Sequence, residues 1–128
     1  MLLLDTCTLL WLTSDQTKLS PAARQALSNY RGHLYVSAVS GFEVAQKAAK
    51  GKLVLPRSPA EWMERALGLH GLQGLALDMA SAVAAGALPA LHADPFDRLL
   101  VASAQAHRLT LLTPDPLIQQ YPALTTLW

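Results

Sequence analysis

Asp94-Pro95-Phe96-Asp97-Arg98-Leu99-Leu100-Val101-Ala102-Ser103-Ala104 is the stretch on which the reading of this chain turns. An Asp suited to a helix N-cap, a Pro suited to the first helical position and an apolar run behind them predict a helix from Asp94 to about His107. Asp97 lies three residues on, so it shares the side of the first turn that Asp94 faces. Capping and the helix dipole account for both acids by themselves. What sets them apart is that Asp5, Glu43 and Asp115 stand in comparable positions elsewhere.

Downstream of that helix, Leu109-Thr110-Leu111-Leu112-Thr113 has the composition of a buried strand. Pro114-Asp115-Pro116 turns the chain into a short helix over Leu117 to Gln120, with Asp as cap and Pro at its start. Leu124 to Trp128 reads as a final edge strand. Upstream, Asp78 caps a helix from Met79 to Ala85 that Gly86 and Pro89 close. Before it, Gly71 and Gly74 flank a turn and Leu75-Ala76-Leu77 reads as a short strand. Gly51 to Pro59 is the clearest linker, and Ser58-Pro59 restarts a helix over Ala60 to Leu69.

The first half repeats the alternation. Leu2-Leu3-Leu4 is a short buried strand ending at Asp5, and Leu9-Leu10-Trp11-Leu12 continues it as a short helix. Ser20-Pro21 opens a second helix to about Asn29, which Gly32 ends. Leu34-Tyr35-Val36-Ser37 is the next strand. Ser40-Gly41-Phe42-Glu43 has the S-x-x-E pattern of a capping box and would open a helix to Lys50 that Gly51 terminates. Capping alone is again a sufficient reason for Glu43.

Strands alternating with helices imply an α/β fold, a three-layer α/β/α sandwich around a central, mainly parallel sheet of four or five strands. The 128 residues fit a single domain over 1–128, and 52% hydrophobic against 15% charged residues suits layers buried on both faces. A net charge of +1 excludes a broad basic footprint, so any nucleic acid would be bound locally. Cys7, the only cysteine, excludes an internal disulfide and a cysteine-rich zinc site, and reads as a small buried residue. No basic segment precedes the apolar start, and the longest Ala-rich stretch, Met79 to Ala93, is broken by Gly86 and Pro89. The expectation is a soluble cytoplasmic protein without a membrane segment.

In a parallel sheet every strand's carboxyl end lies on one rim, where ligands bind near the switch in strand order. Asp5, Glu43 and Asp115 each follow a strand on that rim, and the Asp94/Asp97 helix feeds into another strand. Two carboxylates about 6 Å apart at an effective dielectric near 20 repel by roughly 3 kcal/mol. Helix N-termini offset about 0.3 to 1 kcal/mol each, so a hard divalent cation is the natural remedy. Mg²⁺ suits oxygen ligands, Mn²⁺ can substitute, and no His/Cys constellation favours zinc. His92, alone near the pivotal helix, reads as a solvated loop residue.

Together, Leu2-Leu3-Leu4-Asp5-Thr6, Ser37 to Glu43, Asp94-Pro95-Phe96-Asp97-Arg98-Leu99-Leu100 and Leu111-Leu112-Thr113-Pro114-Asp115 resemble a PIN domain, and most of all the VapC-type toxins of toxin–antitoxin pairs. The resemblance spans the chain and implies a Mg²⁺- or Mn²⁺-dependent endoribonuclease whose metal-binding and catalytic acids match Asp5, Glu43, Asp97 and Asp115. It makes Asp94 an accessory acid or cap. It matches Thr6 and Thr113 to hydroxyl positions that orient a water on the metal, and it implies products with a 5′-phosphate and a 3′-hydroxyl. Structured or looped RNA is the implied substrate, a cognate antitoxin the partner and a homodimer the assembly, with the Trp11 region lining a groove for an antitoxin helix. Lys47, Lys50 and Lys52 are candidate guides for a phosphate backbone and Arg98 a candidate substrate contact; each is equally well explained by a helical ion pair, a helix C-terminus or a solvated face.

Other classes fit less well. A receiver domain wants adjacent acids after the first strand and a late lysine, whereas this chain has Asp5-Thr6 and no lysine beyond Lys52. An aspartate-nucleophile phosphatase wants an acid at position 7, which is Cys7. The remaining alternative is a catalytically silent PIN-fold module that binds an antitoxin-like partner or takes part in regulating DNA.

Overall fold

The computed structural model describes residues 1–128. Five strands, β1 (Leu2–Leu4), β2 (Leu34–Ser37), β3 (Leu72–Leu75), β4 (Thr110–Leu112) and β5 (Thr126–Leu127), form one sheet in the order β3-β2-β1-β4-β5. Every pairing is parallel, with Leu3 of β1 in register with Tyr35 on one side and Leu111 on the other. Six helices join them: α1 (Thr6–Ser14), α2 (Pro21–Asn29), α3 (Ala38–Ala49), α4 (Pro59–His70), α5 (Met79–Gly86) and α6 (Pro95–His107).

The period-2 alternation of β1 sorts the core into two layers. Leu2 and Leu4 pack with Leu34, Val36 and Leu112 under α1 and α2, where Leu9, Ala23 and Leu27 close the layer and Trp62 and Met63 of α4 lie against it. Leu3 points the other way, to Leu111, Val39 of α3 and Leu100, Val101 and Ala104 of α6. The α/β/α sandwich expected from the alternation is the fold observed. Burial of α1 is uneven: Leu9 is fully buried, whereas Trp11 is half-buried and stacks at a tilt on Trp128, ring centroids 5.8 Å apart.

Two local expectations are corrected. The helix after β2 starts at Ala38, not at Ser40, because Ser37 takes the cap: its hydroxyl accepts from the Val39 amide at 3.0 Å. Ser40 lies inside α3, buried, and bonds Thr6 Oγ1 at 2.9 Å, so Ser40 and Glu43 form no capping box. The third strand is Leu72–Leu75, not Leu75–Leu77, and Gly74 lies within it opposite Val36. Only Gly71 is a turn residue there, holding the left-handed conformation (φ 62°) that closes α4.

The strand order changes direction between β1 and β4, which opens a crevice at the carboxyl ends of these two central strands. Because α6 runs back toward the start of β4, its N-terminus arrives at the same rim. No helix is long and apolar enough to cross a membrane.

Candidate active site

Asp5 leaves β1 and caps α1, its Oδ1 accepting from the Thr8 amide at 2.8 Å, and it is 4% exposed. Its Oδ2 accepts from the Thr113 hydroxyl at 2.5 Å, and the Cys7 thiol donates to the same carboxylate. Burial pushes the Asp5 carboxyl above the ordinary range, opposed by the hydrogen bonds from Thr113, Thr8 and Cys7. Burial and the neighbouring Asp5 charge push the Cys7 thiol far up, which keeps it neutral and removes it from nucleophilic chemistry.

Thr113 closes β4 and is fully buried. While donating to Asp5, its Oγ1 accepts from the Asp115 amide at 3.1 Å. Asp115 Oδ1 in turn accepts from the amide of Leu117 at 2.8 Å, which starts the short 3₁₀ turn Ile118–Gln120. Burial raises the Asp115 carboxyl, but hydrogen bonds from His92, Leu117 and Ile118 outweigh it and hold the group below its ordinary value.

Asp94 caps α6 through its Oδ1 and the Phe96 amide at 2.8 Å. Asp97, in the first turn, makes no capping bond and points into the crevice formed by its neighbours. Burial first, then the charges of Asp94, Glu43 and Asp5, push its carboxyl up to about 7, with only His92 pulling the other way. Negative charge from three other acids, two of them on distant segments, therefore acts on one side chain. Glu43, on the second turn of α3, is 9% exposed; Lys47 Nζ holds its Oε2 at 3.0 Å, while Oε1 is buried with no partner.

Two of the candidate residues have partners of a different kind from those expected. Arg98 directs its guanidinium to main-chain carbonyls: Ala85 and Leu88 at 2.9 Å, Pro89 at 3.0 Å and, longer, His92 at 3.5 Å. It thus clamps the end of α5 and the loop after it. Thr6 Oγ1 ties α1 to α3 through Ser40.

His92 corrects the expectation of a solvated loop residue. Its side chain is 14% exposed, and Nε2 stands 2.9 Å from Asp115 Oδ2 and 3.1 Å from Asp97 Oδ2. No periodicity or cap signals this position. The one local hint is its place two residues before the D-P-F-D run, where Nδ1 accepts from the Asp94 amide at 3.1 Å.

The residues present fit a hard divalent cation. The donors are carboxylate oxygens, as Mg²⁺ and Mn²⁺ prefer. A buried carboxylate oxygen on Glu43 lacks a partner, and burial together with the charges of Asp94, Glu43 and Asp5 opposes ionisation of Asp97.

A parallel sheet with acids gathered at its switch point is an arrangement that several classes of α/β protein share, and comparison narrows it. Residues 2–124 match the PIN domain family model, and the chain belongs to that family. It is 32% identical to Ribonuclease VapC22 of Mycobacterium tuberculosis over 129 residues, covering 98% of this chain and 97% of that protein. Among solved structures, it resembles the DNA-bound VapBC complex of Salmonella typhimurium at a TM-score of 0.73 and 17% identity, covering 98% of this chain and 96% of the other. A toxin–antitoxin complex from Klebsiella pneumoniae gives a TM-score of 0.69 at 23% identity, over 98% and 97%.

Proposed function

We propose that this chain is a Mg²⁺- or Mn²⁺-dependent endoribonuclease and the toxin of a toxin–antitoxin pair acting in the cytoplasm. The observation that carries the reading is Asp97, whose ionisation is opposed first by burial and then by Asp94, Glu43 and Asp5. The ribonuclease named among its relatives supports the reaction, and the toxin–antitoxin complexes among its structural neighbours support an antitoxin partner.

Asp5, Asp97 and Asp115 would hold the cation, with Glu43 binding it directly or through water. When bound, the cation supplies a lowered pKa for the attacking water and positive charge for the phosphate oxygens. The chain's own residues do the positioning. Thr113 orients Asp5 and spaces Asp115 from it. Asp94 sets the start of α6 and so the aim of Asp97. Lys47, paired with Glu43 and with its side chain 42% exposed, would meet an incoming phosphate. Unstacked bases in loops are the RNA features most open to side chains, so structured RNA with single-stranded loops is the proposed substrate, cut by a homodimer.

Purified protein is expected to cleave such RNA with Mg²⁺ or Mn²⁺ and to stop when chelator is added. Asp97→Asn is expected to keep the fold and lose cleavage. If wild type and Asp97→Asn leave a broad RNA panel equally intact, the silent, partner-binding module is the correct reading.

A further inference from the structure

His92 is wired against metal ligation. A histidine that ligates through one ring nitrogen donates the N–H of the other to a carbonyl or carboxylate. Here Nδ1 accepts from a main-chain amide, that of Asp94. The ring's proton therefore sits on Nε2, which aims it at Asp97 and Asp115 together. A nitrogen that carries its proton has no lone pair to offer a cation. Nε2 and the two carboxylate oxygens lie within 4.8 Å of one another, a spacing at which a cation about 2.0–2.1 Å from the oxygens would meet the Nε2–H rather than a lone pair. Ring and cation compete for one space.

The backbone of His92 is held independently of the ring. Its amide donates to the buried Tyr121 hydroxyl at 3.0 Å, and Arg98 reaches its carbonyl and those of Pro89 and Leu88. Side-chain rotation is thus the motion left to it. We propose that His92 is an internal placeholder: in the metal-free protein its Nε2–H bridges Asp97 and Asp115 in the seat of the cation, and metal entry requires the ring to swing out. The ring thereby sets a threshold on metal occupancy. This rests on the proposed metal-dependent reading.

The test is calorimetric titration of Mn²⁺ into wild type and His92→Ala. Removing the competing hydrogen bonds is expected to tighten Mn²⁺ binding about three- to tenfold, and to lower the melting temperature in chelator, where the bridge is lost without replacement. Weaker or unchanged Mn²⁺ binding in the variant overturns the proposal, since a ligand or a bystander would give those results. Nitrogen NMR of the wild-type His92 ring guards against a poorly folded variant. The Nε2–H tautomer is expected in chelator and its signals should move on adding Mg²⁺, whereas an Nδ1–H tautomer overturns the proposal. If neither protein binds Mn²⁺, the metal-dependent reading falls as well; if wild type binds and the variant gains nothing, only the placeholder falls.

Discussion

Thr113 and Asp5, 108 positions apart in the chain, are joined at the floor of the crevice by a hydroxyl that donates to the carboxylate. The same oxygen accepts from the Asp115 amide, so one side chain links the ends of β1 and β4 and sets two of the acids relative to each other. Thr113→Val keeps the shape and deletes both bonds. A buried carboxylate oxygen and a main-chain amide then lose their partner, which costs about 1–3 kcal/mol. Urea denaturation in chelator should show the lowered midpoint, with Mn²⁺ affinity reduced in parallel.

Asp97→Asn deletes a charge that its surroundings resist, while nearly keeping the side chain's shape. In chelator the variant is expected to melt higher than wild type. A lower melting temperature would mean that Asp97 serves α6 rather than the crevice. With saturating Mg²⁺ the order should reverse, because only wild type then gains from binding.

Stability without metal should fall as pH rises. The folded protein holds the Asp97 proton up to about 7, above the ordinary carboxylate value, so it binds more protons than the unfolded chain between those limits. The contribution is complete below the unfolded value and is lost as pH rises through about 7. Burial raises Asp5 in the same direction. Asp115 is held low and acts oppositely, losing its contribution only as pH falls below the ordinary carboxylate range. Melting in chelator at pH 5.5 and pH 8 is expected to give the higher value at pH 5.5, with a smaller difference in Asp97→Asn.

Arg98→Lys should loosen the loop behind the site. A lysine has three donors on one nitrogen and no planar fork, so it cannot reach the carbonyls of Ala85, Leu88 and Pro89 together. Hydrogen exchange over residues 86–93 is expected to speed up, and stability to fall by about 1–2 kcal/mol.

Much of the fold was legible because its signals are local. Leu2-Leu3-Leu4 ending in Asp5, Ser58-Pro59 and Asp94-Pro95 each mark an element boundary through propensity, capping and the fixed φ of proline, and each boundary stands where the sequence put it. The misplaced elements are those where two local answers compete. Ser37 and Ser40 are both candidate caps for α3, and the end of β2 favours Ser37. Leu72-Gln73-Gly74-Leu75 contains a glycine and a polar residue, and pairing with β2 makes it a strand.

The sequence by itself determined the alternation of strands and helices and the acids at their junctions, because these depend on residue type and spacing along the chain. Tertiary structure alone decided that Thr113 would reach Asp5, that Arg98 would hold a loop, and that His92 would lie between Asp97 and Asp115. Those relationships join positions up to 108 residues apart, and only strand order and the packing of α6 against the sheet bring them within hydrogen-bonding distance.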